Sequence, residues 1–418
     1  MEFNCKVKVV DMVMGTGKTS AAINFINQSD DEDKFMYITP VLTEVERIKL
    51  NCHDKHFKDP QTFKTKLDGL KHLLRRGENI VSTHALFQRF DREIIDMLRN
   101  QNYTLILDEV TDVIEQYQIS NADLKILQSD YIYVEDKSNL VKWKENKENY
   151  KGRFDDVKRL CDFNCLACYG GKIMLWLFPI EVFNAFRNIY ILTYKFKAQM
   201  QSLYYDFYKL PYEIIGVEGD SVEKYRFTDK PPTNTPKTDY RKLIHIENNE
   251  KLNMIGDTKT DLSVTWYNRV SQDGVSLQKL KKNTLNYFNN IRKSPVALNL
   301  WTTFKDFKKE ISGKGYAKGY LSSNSKATND YKGKTSVAYL INKFFNPVIK
   351  QFFETHDIEV DEDGYALSEM LQFIWRSAIR ENKEIWIYIP SIRMRSLLEK
   401  WIEENSIKEN DNLKEQSK

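Results

Sequence analysis

The chain has few cysteines, no long apolar run and little net charge, and each shortage excludes a class of protein. Five cysteines in 418 residues are too few for a disulfide framework, so a reducing cytoplasm is the expected setting. No stretch is apolar for the length of a membrane span, and the first residues lack the apolar core of a signal peptide, so no membrane partner is expected. The net charge of +4 excludes a basic footprint over the whole chain, and any contact with nucleic acid must come from local patches.

What the chain does contain is an alternation of short apolar runs and helical segments. A hydrophobic content of 41% and a charged content of 29% are typical of a globular protein, and the length suffices for two domains. The alternation predicts an α/β fold with parallel, doubly wound sheets. The predicted strands cover residues 7–12, 35–40, 79–84, 103–108, 188–193, 296–304, 336–340 and 384–390.

Two segments interrupt this alternation and suggest the domain boundaries. Residues 112–187 are charged and show no clear strand ladder, so we predict a helical insert there. Residues 230–239 hold three prolines and no large apolar side chain, which predicts a linker. The expected organisation is therefore a first domain at 1–229, a second at 240–405 and a polar tail at 406–418.

Residues 12–19 have the pattern of a phosphate-binding loop between a strand and a helix. Gly15 and Gly17 permit a tight turn whose backbone amides can face an anion. Lys18 would reach the β- and γ-phosphates of a nucleotide, and the Thr19 hydroxyl would hold Mg²⁺. The residues expected to contact the nucleotide are Met14, Gly15, Thr16, Gly17, Lys18, Thr19 and Ser20. Met12 stands where such loops usually begin with glycine, so a chance turn is the alternative.

Asp108 and Glu109 end the apolar strand predicted at 103–108. Asp108 would hold Mg²⁺ and Glu109 would polarise the attacking water, which is the minimal set of carboxylates for γ-phosphate hydrolysis. An acidic pair after a strand can also be a solvated strand end. The phosphate loop about ninety residues upstream favours the catalytic interpretation.

A helix predicted at 366–381 carries Gln372, Arg376 and Arg380 at i, i+4 and i+8. This spacing places the three side chains on one stripe, away from the apolar face. Two arginines on a rigid helix could stabilise negative charge on a transferring phosphoryl group. The alternative is an ordinary solvated helix face.

In their order along the chain, these segments resemble the motifs of superfamily 2 helicases of the DEAD-like group. Beyond the loop and Asp108-Glu109, similar segments are residues 37–40, 82–84, 192–194 and 299–304, and the Gln372 stripe resembles the arginine-bearing motif. Strings at 375–380 and 388–395 are similar to helicase-like proteins of bacteriophages of Gram-positive hosts. The resemblance implies two RecA-like domains, ATP and Mg²⁺, and movement along single-stranded DNA, with RNA as the alternative. It also implies a role in phage replication or recombination with partner proteins. The nucleic-acid contacts it implies are Thr39, Pro40, Thr83, His84, Thr302 and Thr303.

Departures from the helicase pattern keep other functions open. The acidic motif reads Asp-Glu-Val-Thr, residues 192–194 retain only the threonine of their motif, and residues 324–342 match theirs poorly. A viral DNA-packaging ATPase and a nucleotide-gated clamp without unwinding activity are the alternatives. His84 could equally be a structural residue.

Two further patterns each have two interpretations. Lysines recur from Lys305 to Lys326 with Tyr316 and Tyr320 between them, as in an electrostatic track with stacking platforms or in a solvated loop. Cys161, Cys165 and Cys168 have a spacing that can hold an iron–sulfur cluster, but three buried core cysteines are the favoured interpretation.

Overall fold

The computed structural model describes residues 3–60, 64–232, 238–323 and 330–407. Internal contacts divide the chain into two units, Met1–Pro232 with Phe345–Asp361, and Thr233–Phe344 with Glu362–Lys418. The predicted linker at 230–239 spans the first boundary. Its residues 233–237 lie outside the described ranges, as do residues 324–329 of the poorly matching motif and 408–418 of the predicted tail. Residues 345–361, which we expected in the second domain, group with the first unit.

The described residues form strands and helices in alternation along much of the chain. The strands are β1 (Lys6–Asp11), β2 (Phe35–Thr39), β3 (Ile80–Thr83), β4 (Thr104–Asp108), β5 (Ile114–Tyr117), β6 (Ile132–Val134), β7 (Val141–Trp143), β8 (Leu166–Tyr169), β9 (Ile173–Leu177), β10 (Asn188–Thr193), β11 (Tyr212–Glu218), β12 (Arg226–Thr228), β13 (Ile244–Ile246), β14 (Asn299–Thr302), β15 (Ser336–Tyr339) and β16 (Ile385–Tyr388). The helices are α1 (Lys18–Asn27), α2 (Leu42–Asn51), α3 (Lys66–Arg75), α4 (His84–Phe87), α5 (Arg92–Arg99), α6 (Asn121–Ile126), α7 (Asp155–Asp162), α8 (Ile180–Phe183), α9 (Met200–Tyr208), α10 (Tyr240–Leu243), α11 (Glu250–Asn253), α12 (Val264–Val270), α13 (Val275–Asn286), α14 (Lys308–Ile311), α15 (Pro347–Glu354), α16 (Glu362–Ile374) and α17 (Ile392–Asn405). Within the described ranges, none of these helices combines the length and the apolar character needed to cross a membrane.

The first unit is built on a sheet of order β12-β11-β1-β10-β4-β2-β3, in which β12 is antiparallel and the other strands are parallel. The five strands predicted for this part of the chain are confirmed. Every residue of β2 is buried, as expected for a parallel strand covered on both faces. β11 and β12, which the sequence analysis did not predict, extend the sheet beyond β1.

β1, β10 and β4 lie side by side and bring three loops to one edge of this sheet. The register pairs Asp11 with Thr193 and Leu192 with Asp108. Because all three strands run in the same direction, the segments that follow them share the carboxyl edge, where ligands bind in open α/β sheets. The predicted phosphate loop and the predicted acidic pair therefore lie at the same edge.

The insert at 112–187 is an α+β element, not the helical one that we predicted. β5, β9 and β8 form an antiparallel sheet, and β6 pairs with β7 in a hairpin. Leu127, Trp143, Phe154 and Leu166 belong to a buried cluster within the insert. The prediction failed because strands as short as β6, with three residues, are too short to display an alternating pattern.

The second unit contains a parallel sheet of order β13-β16-β15-β14. The strands predicted at 296–304, 336–340 and 384–390 are confirmed, each in a shorter form. Trp301 and Tyr388 are fully buried in the core beside this sheet.

The helix predicted at 366–381 is wrong in its last turns, because α16 ends at Ile374. Ser377 has an extended backbone, with φ −83° and ψ −171°, and its hydroxyl donates to the Ile374 carbonyl at 2.6 Å. The N–H of Ala378 donates to the Lys334 carbonyl at 2.9 Å, and a 3₁₀ turn follows at Ala378–Glu381. Gln372, Arg376 and Arg380 therefore do not form the continuous helical stripe that their spacing predicted.

α15 belongs to the first unit although it follows β15 in the chain. The rings of Phe352 and His356 lie 5.2 and 4.9 Å from the ring of Phe207, which is in α9. The His356 ring also lies 3.5 Å from the Asn139 amide in the insert. We call residues 345–361 the excursion segment, since the chain leaves the second unit after Phe344 and rejoins it at Glu362.

Candidate nucleotide-binding site

The segment between β1 and α1 has the backbone conformation of a phosphate-binding loop. Gly15 and Gly17 have φ of +84° and +86°, the left-handed region that favours glycine, and α1 begins directly after Gly17. A ten-residue helix that starts at this point directs its free amides and its positive dipole end toward an anion. The two glycines thus have the conformation that a phosphate-binding loop requires, and phosphate binding itself stays a prediction.

Position 12 does not require glycine, because Met12 continues the hydrogen bonding of β1. Its N–H donates to the Thr193 carbonyl at 3.0 Å, and the Val217 N–H lies 3.0 Å from its sulfur. Met12 is not among the described residues with positive φ. The missing first glycine of the motif is therefore compatible with the loop.

Lys18 lies inside the loop and contacts the loop's own carbonyls. Its ammonium donates to the carbonyls of Met12 and Val13, the latter at 3.2 Å. Burial lowers the pKa of Lys18, while the nearby carboxylates of Glu109, Asp11 and Asp108 oppose that shift. A desolvated cation surrounded by carboxylates is suited to holding a triphosphate and its metal ion.

Asp108 ends β4 as predicted, and its environment disfavours the charged form. Burial raises the pKa of Asp108 to about 7, with further contributions from Glu109 and Glu44, while Lys18 and Tyr37 lower it. A divalent cation would supply the positive charge that this carboxylate lacks. The residues here thus fit a magnesium ion, with the Thr19 hydroxyl as a second candidate ligand.

Glu109 is held in an unusual backbone conformation next to Asp108. Its φ of +66° is uncommon for a residue other than glycine. The Glu109 N–H donates to the Leu192 carbonyl at 3.0 Å, and the Thr193 hydroxyl donates to its carboxylate at 3.5 Å. Strained residues that their neighbours hold in place are frequent at active sites.

Asp11 is a site residue that the sequence analysis missed. Its carboxylate accepts the N–H groups of Lys195 at 2.6 Å and Phe196 at 3.0 Å. Asp11 thus fixes the loop after β10 against the end of β1, and its charge also acts on Lys18. The signal was a carboxylate at the last position of the strand that precedes the phosphate loop.

Asp108→Asn is expected to stabilise the nucleotide-free protein, and more so at about pH 8 than at about pH 5.5. With a pKa of about 7, the carboxyl is mostly protonated at the lower pH and is an ionised, partly buried group at the higher one. In the unfolded chain it ionises at its ordinary, lower pKa, so the wild type loses stability as pH rises toward 7, and asparagine does not. The gain should be larger at pH 8 than at pH 5.5 by about 2 kcal/mol, measured by thermal unfolding. The exposed neighbour change Asp112→Asn is the control, and equal gains at both pH values would contradict the assignment.

Most of the side chains predicted to contact nucleic acid are buried, which corrects that part of the sequence analysis. Thr39 and Thr302 are 0% exposed, and Thr303 donates its hydroxyl to that of Tyr267 at 3.0 Å. His84 is 5% exposed, and its Nε2 lies 2.9 Å from the Asp108 carbonyl, which supports the structural alternative. Pro40 and Thr83 are half-buried. Threonine at a strand end predicts a surface hydroxyl only when the loop that follows does not cover it.

The predicted residues of the second unit differ in their surroundings. Gln372 and Arg376 are half-buried, and Arg380 is exposed. Trp375, which lies between Gln372 and Arg376 in sequence, is buried. Its ring lies 5.5 Å from that of Tyr240 and 5.4 Å from that of Trp401.

The lysine-rich segment is a solvated surface with one of its two tyrosines in the core. Its exposed cations within the described residues are Lys305, Lys308, Lys309, Lys314 and Lys318. Tyr316 is fully buried and offers no stacking face. Tyr320 is half-buried, and the Lys308 ammonium lies 4.3 Å from the centre of its ring.

The three cysteines of the insert are core residues. Cys161, Cys165 and Cys168 are buried, and burial raises the pKa of each thiol. Across the described part of the chain, no group of three or more histidine, cysteine or acidic side chains is arranged to hold a metal ion.

Comparison with known proteins places the chain in a family. Residues 114–176 match the YonV middle domain, and residues 238–402 match the YonV C-terminal Rossmann-like domain. The SPbeta prophage-derived uncharacterized protein YonV of Bacillus subtilis (strain 168) is 40% identical over 411 residues, which cover 95% of this chain and 99% of that protein. The chain belongs to the YonV family. The YonV middle domain falls on the α+β insert, and the Rossmann-like domain begins before β13 and ends within α17.

Three solved structures are also similar to this YonV-family chain, at low sequence identity. Xpd4 of S. tokodaii is 10% identical with a TM-score of 0.44, covering 97% of this chain and 95% of its own. The DUF1998 helicase MrfA, solved bound to DNA, is 10% identical with a TM-score of 0.31, covering 97% and 47%. A DEAD box protein from Methanococcus jannaschii is 13% identical with a TM-score of 0.27, covering 97% and 87%.

Proposed function

We propose that this chain is an ATP hydrolase of the helicase type, which uses ATP and Mg²⁺ to move along or remodel nucleic acid in the cytoplasm of a phage host. The observation that carries the proposal is the grouping of Lys18 with Asp11, Asp108 and Glu109 at the carboxyl edge of one parallel sheet. A glycine loop with a half-buried lysine and two carboxylates after a strand is a set of groups suited to phosphoryl transfer to water.

Each group has one role in the proposal. The loop amides and Lys18 would neutralise the phosphate oxygens, and Thr19 with Asp108 would hold Mg²⁺, which would supply further positive charge against the triphosphate. Glu109 orients and polarises the attacking water. The resemblance to helicases assigns Arg376 and Arg380 to stabilising transition-state charge, and that role stays a prediction.

The nucleic-acid part of the proposal is supported by the lysine-rich segment, since the buried threonine hydroxyls cannot serve. Five exposed lysines between Lys305 and Lys318 are suited to phosphate contacts that carry no sequence information. They follow β14 in the chain.

The decisive experiment is an ATPase assay of the purified chain without nucleic acid and with single-stranded DNA, duplex DNA or RNA. The proposal expects Mg²⁺-dependent hydrolysis that one of these polymers stimulates. A strand-displacement assay then separates a motor from a nucleotide-gated clamp, because only the motor opens a duplex. Absence of hydrolysis under all four conditions would contradict the proposal.

Replacing two exposed lysines, Lys309→Ala with Lys314→Ala, is expected to weaken single-stranded DNA binding in a salt-dependent way. Each lost phosphate contact on a single strand lowers the slope of log affinity against log salt by about 0.7, so the double variant should lose about 1.4. Binding is measured by anisotropy over a salt series. Lys400→Ala, exposed on α17, is the matched control, and an unchanged slope in the double variant would exclude this segment as the track.

A further inference from the structure

The loop between β11 and β12 is fastened against the first turns of α1. The Ser221 carbonyl accepts the N–H groups of Lys224 and Tyr225, each at 3.1 Å, which closes the loop into a compact turn. Asn24 in α1 donates its side-chain amide to the carbonyls of Val222 at 2.8 Å and Tyr225 at 2.9 Å. Both amide hydrogens of Asn24 are thus used to hold this loop beside the phosphate loop.

The Tyr225 ring lies directly over the backbone of Gly17. A Cβ atom built on Gly17 would come within 2.6–2.7 Å of three atoms of that ring. Three nearly equal distances mean that the face of the ring, not its edge, lies toward the glycine. Glycine is therefore required at position 17 for two reasons, its positive φ and the close approach of Tyr225. The Tyr225 side chain is half-buried, so part of its surface is open to solvent.

The order of strands decides which end of a nucleotide would meet this ring. β10 and β4 lie on one side of β1 and carry Asp108 and Glu109, whereas β11 lies on the other side and leads to Tyr225. The γ-phosphate of a bound triphosphate must point toward the carboxylates that hold the metal ion and the water. The nucleoside end must then leave the loop on the β11 side.

We propose that Tyr225 is the platform on which the nucleobase stacks, an inference that rests on the proposed nucleotide site. An aromatic face attracts any base, because every base has a π-face, and stacking carries little discrimination between bases. Both side-chain N–H groups of Asn24 donate to the loop, so neither is available to donate to the edge of a base. The ring therefore gives the site weak selectivity between bases, ATP and GTP included.

The test compares a nucleotide with its phosphate chain alone. Calorimetry measures the binding of ATP, GTP and inorganic tripolyphosphate to the wild type, Tyr225→Phe and Tyr225→Ala. The alanine variant should bind ATP about 10–100-fold more weakly while tripolyphosphate affinity stays within about twofold, since stacking is lost and phosphate contacts are kept. The phenylalanine variant should bind both ligands like the wild type, and ATP and GTP should differ by less than about tenfold.

Two controls separate this inference from the proposed function. Val222→Ala, 64% exposed in the same loop, should leave both affinities unchanged, and thermal unfolding checks that the alanine variant folds. If Tyr225→Ala lowers the affinities for ATP and tripolyphosphate equally, or lowers neither, the ring does not bind the base. The inference is then overturned, while the phosphate site stands. A wild type that binds neither ligand overturns the nucleotide site itself.

Discussion

Lys18→Ala is expected to lower ATP hydrolysis at least about 100-fold, which is the usual loss when one electrostatic group is removed from a preorganised site. Lys18 is the cation that the carboxylates of Asp11, Asp108 and Glu109 surround. Without it, the phosphate oxygens would meet negative charge alone at the carboxyl edge of the sheet. The change is measured as kcat at saturating ATP and Mg²⁺, beside nucleotide binding by calorimetry.

The matched control is Lys6→Ala, at the exposed start of the same strand. It removes an equal charge from β1 but should leave hydrolysis within about twofold, because an exposed charge far from the site is screened. The Lys18→Ala protein should remain folded, since a buried ammonium is costly to keep and its removal opens no large cavity. Hydrolysis that persists in Lys18→Ala would show that residues 12–19 are not the phosphate loop.

The strands and the tight turn at Gly15 and Gly17 could be predicted from the sequence because their determinants are local. An apolar run such as residues 188–193 can only be buried, and its bounds agree with β10. Gly15 and Gly17 permit a positive φ at their own positions, and Lys18 follows at a fixed distance in the chain. Features of this kind need no knowledge of which residues meet across the fold.

The predictions that failed depended on contacts between distant parts of the chain. α16 ends at Ile374, and four residues later the Ala378 N–H donates to the Lys334 carbonyl, a partner more than forty residues away in sequence that no helical periodicity reveals. Thr39 and Thr302 are the last residues of their strands, yet both are fully buried. Tyr225 meets Gly17 only because β11 lies next to β1 in the sheet.

Arg393 holds together the two points at which the chain leaves and rejoins the second unit. Its guanidinium donates to the Asn342 side-chain oxygen at 3.0 Å and to the Lys343 carbonyl at 2.6 Å, on the outgoing side. On the returning side it pairs with the Asp363 carboxylate at 2.7 Å and donates to the Glu362 carbonyl at 3.3 Å. The excursion segment thus begins and ends at one buried arginine.

Arg393→Met is expected to lower the free energy of unfolding by about 3 kcal/mol, because several acceptors lose their donor inside the protein. Methionine keeps most of the length of the side chain, so the loss reports hydrogen bonds more than packing volume. The change is measured by thermal and denaturant unfolding. Hydrogen exchange should become faster at residues 342–344 and 362–363 first, since these are the segments that Arg393 joins.

Lys400→Met is the control for Arg393→Met, because both residues lie in α17. It shows whether the loss of any positive charge from this helix has the same effect. Lys400 is exposed and lies 3.8 Å from Glu404, an i,i+4 pair worth less than about 0.5 kcal/mol, so its removal should change neither unfolding nor exchange. Asp363→Asn should cost less than Arg393→Met, because it breaks the ion pair but leaves the three oxygens of Asn342, Lys343 and Glu362 bonded to the guanidinium. If Asp363→Asn costs as much as Arg393→Met, the exposed ion pair carries the stability and the arginine does not hold the ends of the excursion segment.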